Sequence, residues 1–228
     1  SGLKARAELV EIYARWIPEE KIITSNIWSS ELSKLVANAF LAQRVSSINS
    51  ISALCEKADA DVTQVAKAVG MDSRIGGKFL NAGVGFGGSC FKKDILNLVY
   101  LCNFYGLPEV ASYWESVIKI NEYQQERFVT NIIASMFNTL AGKKICIMGF
   151  AFKGNTGDTR ESPAIYITRR LLEERAEVII SDPQALKNAA LDLAAEKGSI
   201  TYREDPYLAA ASCHALAILT DWDLYRKL

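Results

Sequence analysis

Between Leu3 and Trp16 the apolar residues Leu9, Val10, Ile12, Tyr13 and Trp16 recur at helical spacing, and Pro18 stops the run. Lys21 to Thr24 then reads as a short strand. Ser29 and Ser30 can each cap the helix that follows, and Glu31 to Ala58 contains neither Gly nor Pro. Its apolar residues fall on two sides, with Leu32, Val36, Phe40 and Leu54 on one and Leu41, Val45 and Ile48 on the other. A helix apolar on both sides is expected to be buried on both, as a subunit interface or as a spine between domains. Asp61 to Val69 predicts a second helix, ended by Gly70. Cys90 to Tyr105 predicts a third, ended by Gly106-Leu107-Pro108, with a glycine-rich loop between the two. Pro108 to about Leu140 has the spacing of a long helix through Val110, Trp114, Val117, Ile118, Phe128 and Ile132, and is expected to connect to a second domain.

From Lys144 the period changes. Strands are predicted at Ile145 to Phe150, Val178 to Ser181, Ile200 to Arg203 and Ala215 to Leu219. Helices are predicted after Ser162-Pro163, over Asn188 to Lys197, and briefly after Pro206. Strands alternating with helices at this length imply parallel pairing and right-handed crossovers, a Rossmann-like half sheet. The fold class is therefore α/β, an all-helical central region joined by a long helix to a Rossmann-like parallel-sheet domain.

Composition narrows the function. Hydrophobic residues make up 50% of the 228 positions, an ordinary globular balance for one large domain or two small ones. With 26 basic residues against 26 acidic ones, no positive field draws in phosphate backbones, so nucleic acid is not an expected partner. No apolar run approaches the roughly 18 residues of a membrane-spanning helix and no secretory signal opens the chain, so the expected protein is soluble and cytoplasmic. The 5 cysteines are odd in number and widely spaced, without a CxxC pair. They are expected to be free thiols, neither a disulfide framework nor a zinc site.

One segment concentrates the candidate chemistry. Asn81 to Asp94 holds four glycines (Gly83, Gly85, Gly87, Gly88) that let the backbone approach a ligand, and they stop where a helix begins. Ser89 is the expected N-cap and Cys90 then falls in the first turn, where helix amides and the nearby Lys92 and Lys93 favour a thiolate nucleophile. Asp94 is one turn on, on the same face. The same spacing also fits a flexible loop followed by a cysteine that only packs. Lys34 and Asn38 likewise stand at i and i+4 on an apolar stripe. They can stabilise an oxyanion, or Lys34 can merely snorkel to water.

In the loop after the first strand, Gly149, Gly154 and Gly157 do not have the dinucleotide spacing, yet a loop at that strand's carboxyl end is where such sheets bind ligands. Lys153 and Arg160 could meet phosphates there, or belong to a solvated turn. His214, at the start of a strand, is better explained by packing. Asp182 could contact a ribose or cap the next helix.

Taken together, these segments resemble the UDP-glucose 6-dehydrogenase family. The residues that carry the resemblance are Ser30 to Arg44, the Gly85-Phe86-Gly87-Gly88-Ser89-Cys90 loop with Lys93-Asp94, and Gly149 to Lys153 with Asp158 to Ser162. The related GDP-mannose and UDP-N-acetylmannosamine dehydrogenases share the cysteine and the fold, and the Ser30 to Arg44 motif favours the UDP-glucose branch. The resemblance implies two NAD-dependent oxidations of a sugar C6 alcohol to a carboxylate. Cys90 would be the nucleophile of a thiohemiacetal and thioester, Lys34 and Asn38 the oxyanion stabilisers, and Asp94 the acidic partner. It implies nucleotide-sugar contacts at Lys34, Asn38, Arg74, Phe79, Leu80, Asn81, Gly83, Gly85, Phe86, Gly87, Phe152 and Lys153, with Arg74 reaching a neighbouring subunit's substrate. NAD contacts fall to Lys93 and Arg160, and no metal is implied.

It further implies that residues 1–28 are the remnant of an N-terminal NAD-binding domain, 29–140 a central dimerisation domain, and 141–228 a truncated UDP-sugar-binding domain. The partners would be UDP-glucose or a similar nucleotide sugar and a second copy of the chain, in a homo-oligomer of at least two. Without the first domain the chain alone is expected to be inactive, since nothing positions the nicotinamide. The competing reading is an assembly module with no competent ligand site.

Overall fold

The computed structural model describes residues 2–227. Helix α1 (Gly2–Tyr13) buries none of its residues. Pro18 opens a 3-10 turn over Glu19–Lys21, and the expected strand at 21–24 does not form. The segment to Asn26 runs without a strand assignment, and no neighbouring strand offers the ladder that an extended run needs. Helix α2 (Ile27–Ala58) begins four positions before Glu31, because the Asn26 side chain accepts from the Ser29 N–H at 2.8 Å and takes the capping role expected of Ser29 or Ser30. Asp59, in the left-handed region, ends it.

Asp61 caps α3 (Val62–Gly70), α4 runs Phe91–Phe104, and Pro108 stands at the first position of α5 (Pro108–Ser135). The long helix stops short of Leu140 because Phe137 and Asn138 both have positive φ, 61° and 58°. Residues 29–140 thus give helices alone, with α2, α4 and α5 in mutual contact. Ala39, Ala42, Phe86, Ile95, Leu98, Ala111, Val117 and Ile118 form one core there. The expectation that α2 is buried on both sides fails within a single chain. Ala39, Ala42, Ile48, Asn49 and Cys55 are buried, whereas Leu32, Phe40 and Leu54 on the opposite side are 42%, 56% and 63% exposed.

The second core surrounds a four-stranded, fully parallel sheet of order β3-β2-β1-β4, made by β1 (Lys144–Met148), β2 (Glu177–Ser181), β3 (Ser199–Tyr202) and β4 (Ala215–Ile218). Ile145 lies beside Val178 on one neighbour and Ala215 on the other. Ile145, Cys146, Ile147 and Met148 are all buried, as a central parallel strand requires. Helices α6 (Pro163–Glu173), α7 (Leu186–Asp192) and α8 (Pro206–Ala210) complete the βα alternation. Helix α7 is shorter than the predicted 188–197, and α6 begins where Ser162 caps it.

Helix α5 joins the two cores, giving Ala111, Val117 and Ile118 to the first and Val129 to the second. Glu126 pins it to α6, accepting from Tyr166 Oη at 2.6 Å and from Arg170 Nε at 3.1 Å. Asp182 does more than cap the next helix. It is buried at the end of β2, where Oδ1 accepts from the N–H groups of Gln184 and Ala185 and Oδ2 from those of Phe150 and Ala151 and from Trp222 Nε1. It therefore shapes the loop after β1. His214 is exposed, and its Nδ1 accepts from the Lys144 N–H at 2.9 Å, so a backbone contact explains it where packing was expected.

Candidate functional site

Two helices meet around a buried carboxylate. Asp94, in the first turn of α4, is 2% exposed. Its Oδ2 accepts from Asn38 Nδ2 at 2.6 Å and pairs with Lys34 Nζ. Lys34 and Asn38 share a face of α2 because they are one turn apart. Burial works to raise the Asp94 pKa, but the hydrogen bonds from Lys34 and Asn38 and the charges of Lys34 and Lys93 hold it below the usual carboxylate value. Lys34 is correspondingly raised, by its hydrogen bond to Asp94 and by the charges of Asp94 and Cys90.

Cys90 stands one turn before Asp94, whose N–H donates to the Cys90 carbonyl at 2.9 Å. It occupies the N-cap position itself, so Ser89 is not the cap and Cys90 is not inside the first turn. Ser89 Oγ lies 3.8 Å from the Cys90 sulfur. Among the five cysteines Cys90 alone is exposed. Of the expected quartet, Lys34, Asn38 and Asp94 are thus in direct contact, and Cys90 stands one helical turn before Asp94 at the opening of α4. Lys92 is engaged with Glu161 at 3.4 Å rather than with Cys90.

The glycine loop before Cys90 is pressed against the second core. A Cβ on Gly87 would stand 2.5 Å from the Glu161 carbonyl oxygen and 2.9 Å from Phe152 Cβ. The Gly88 N–H donates to the Arg160 carbonyl at 2.9 Å. Gly87 and Gly88 are thus required for contact between two loops, whereas a Cβ on Gly83 would meet nothing within 4 Å. The positions 83, 85 and 88 match the letters of a dinucleotide fingerprint, but the loop lies between α3 and α4 and no strand precedes it.

Between the loop, α5 and the turn after β1 lies a cleft of about 810 Å³, lined by Asn81, Gly83, Gly85, Phe152, Lys153 and Arg127 among others. The implied nucleotide-sugar residues therefore divide. Asn81, Gly83, Gly85, Phe152 and Lys153 face this cleft. Phe86 and Gly87 are buried and border a second groove with Lys92 and Glu161. Leu80 is buried beside α3, and Phe79 is 43% exposed with a positive φ of 62°. Arg74 lines neither opening, its guanidinium held by Asp72 through Nε at 3.0 Å and Nη2 at 2.6 Å. Arg160 is held by Asp158 in the same fashion, which lowers the Asp158 pKa, and Lys93 is exposed. No cluster of three or more metal-ligating side chains occurs among the described residues.

Sequence reasoning missed the side chains that hold the loop. Asn121 grips Phe86 at both N–H (2.7 Å) and carbonyl (3.1 Å), and Arg44 donates to the carbonyls of Ile75, Gly76 and Lys78. The one available signal was a polar run, Asn121, Gln124 and Arg127, at helical spacing along α5.

Comparison with known proteins decides the family. The model described as the UDP-glucose/GDP-mannose dehydrogenase family, central domain, matches residues 28–123, and the UDP binding domain of the same family matches residues 146–228. The chain belongs to the UDP-glucose/GDP-mannose dehydrogenase family. Among relatives in this family, UDP-glucose 6-dehydrogenase of Caenorhabditis elegans is 58% identical over 234 residues, covering 100% of this chain and 49% of the relative. The Gallus gallus enzyme of the same name is 57% identical over 236 residues, with 100% and 48% covered. The chain thus spans about half the length of the curated relatives it matches. Among solved structures, a UDP-glucose dehydrogenase from Pyrobaculum islandicum superposes with a TM-score of 0.81 at 36% identity, covering 88% of this chain and 45% of that one. A UDP-D-ManNAc dehydrogenase from Pyrococcus horikoshii, at 21% identity and a TM-score of 0.77 over 99% of this chain and 49% of that one, shares the fold.

Proposed function

We propose that the chain is the central and nucleotide-sugar-binding part of a UDP-glucose 6-dehydrogenase. The observation that carries this reading is the contact of Lys34 and Asn38 with the buried Asp94, one helical turn after the exposed Cys90; a cleft lined by Phe152 and Lys153 supports it. In this reading residues 29–140 are the central domain, 141–228 the UDP-sugar domain and 1–28 the end of a cofactor domain, in a cytoplasmic protein.

The sulfur of Cys90 adds to the C6 aldehyde of the sugar, forming the C–S bond of a thiohemiacetal while the carbonyl oxygen takes up negative charge. Lys34 and Asn38, held by Asp94 with donors still to spare, meet that charge. After loss of hydride the same carbon is a thioester, and water adds to it, releasing the carboxylate and returning the thiol. Asp94, kept ionised by its two partners, maintains Lys34 as a cation throughout. NAD, when bound, accepts the hydride of each of the two oxidations. Lys93, exposed and outside any ion pair among the described residues, and Arg160, whose Nη1 is not used by Asp158, suit its phosphates. With these two contacts alone the nicotinamide is not positioned, so this chain by itself binds the nucleotide sugar without turning it over.

The exposed side of α2 supports a homo-oligomer of at least two chains, with Leu32, Phe40 and Leu54 as its apolar contact. A purely assembling role would leave that contact and no ligand binding. Calorimetry with UDP-glucose separates the two. Heat with a single-site isotherm is expected, and a folded chain giving no heat at millimolar ligand would overturn the dehydrogenase reading. GDP-mannose and UDP-N-acetylmannosamine, tested alongside, are expected to bind more weakly.

A further inference from the structure

The peptide of Gly83 is held from both sides by side chains far away in sequence. Its N–H donates to Asn49 Oδ1 at 2.9 Å, and its carbonyl accepts from Gln124 Nε2 at 2.6 Å. Arg127 sets the direction of that second bond, since its Nε and Nη2 donate to Gln124 Oε1 at 3.1 and 2.9 Å. A guanidinium has donors only, so it must face the amide oxygen and turn the amide nitrogen toward Gly83. Arg127 is in turn anchored by Ser52 Oγ at 2.7 Å and by Glu56 at 2.5 Å. Asn49 is 0% exposed and Gln124 6%, so these bonds act at low dielectric. Asn49 accepts the Gly83 N–H while its own buried Nδ2 has no partner among the described residues, a cost accepted in favour of that one bond.

What the clamp leaves free is as informative. The peptide N–H groups of Asn81, Ala82 and Gly85 have no partner among the described residues, and all three residues line the large cleft. We propose that Asn49 and Gln124 are positioning residues of the nucleotide-sugar loop. By consuming both hydrogen-bonding groups of Gly83 they fix the loop so that the neighbouring free N–H groups face the ligand, and Arg127 orients Gln124 for this task. The proposal rests on the functional reading above and deepens it.

Gln124→Glu is the discriminating variant. It keeps the shape and the acceptor for Arg127 but removes the donor to Gly83. In calorimetry the Kd for UDP-glucose is expected to rise about tenfold, with Tm within about two degrees of the parent chain. Gln124→Ala should move Kd the same way, and Gln124→Asn, which retains an amide, should recover part of the loss. Amide hydrogen exchange over Asn81 to Gly85 in the ligand-free chain is expected to quicken in Gln124→Glu. A Kd within twofold of the parent value in both Gln124→Glu and Gln124→Ala, or a rise matched by unfolding in both, would overturn the proposal. If the parent chain binds no UDP-glucose, the functional reading fails instead. The exchange measurement then still decides whether the clamp exists, and unchanged exchange overturns it.

Discussion

Asn38 and Asp94 lie 56 positions apart in sequence and 2.6 Å apart in space. Their bond holds the N-terminal half of α2 against the first turn of α4, the helix that Cys90 opens. The charge of Asp94 is the element on which this arrangement turns. Its pKa is lowered in the folded chain, so its contribution to stability is present above the unfolded carboxylate pKa and is lost as pH falls through the lower folded value. Lys34 is raised, so its contribution is present below the ordinary lysine pKa and disappears as pH climbs through the raised folded one. Thermal melting from about pH 6 down to about pH 3 should therefore show a fall in Tm that is smaller in Asp94→Asn than in the parent chain. Equal slopes would remove Asp94 from the account.

Gly87→Ala should destabilise the chain by about 1–3 kcal/mol, because the new methyl meets a backbone oxygen that has no freedom to withdraw. Urea unfolding measures this. The loop carrying Cys90 should loosen as well, read as faster hydrogen exchange at Gly88, whose N–H is bonded to Arg160.

Cysteine alkylation ranks the thiols. Cys90 is exposed, Cys55, Cys102 and Cys146 are buried, and Cys213 lies between. Burial, with the nearby Cys213, pushes the Cys146 thiol up to about 12. With iodoacetamide near neutral pH and mass spectrometry, Cys90 should be modified first and Cys146 last. Similar rates for all five would strip Cys90 of its special standing.

Leu54→Arg probes the outer face of α2. Leu54 is 63% exposed in the single chain, so the change should leave folding intact. Sedimentation should find the parent chain at least dimeric and the variant shifted to monomer. A monomeric parent would refute the assigned contact.

Two local spacings were legible, Lys34 with Asn38 and Cys90 with Asp94, each one helical turn; that Lys34 and Asn38 meet Asp94 across 60 and 56 positions was implied only by the family resemblance. Parallel pairing of the sheet was legible too, in the alternation of strand and helix periods. The clamp on Gly83 was not, since Asn49 and Gln124 reach it across 34 and 41 positions and nothing in an isolated helix marks an asparagine or glutamine as bonded to a distant peptide. Lys21 to Thr24 had strand letters but no partner strand. The early start of α2 depended on a single Asn26 side chain, and the early end of α5 on two left-handed residues, 137 and 138.

Helix α5 passes without interruption from one hydrophobic interior to the other and is tied to α6 by Glu126. Swinging the two halves apart would mean bending a rod of unbroken backbone hydrogen bonds and tearing out that anchor. The two sides of the opening between Gly83 and Lys153 are accordingly held in register by one continuous helix.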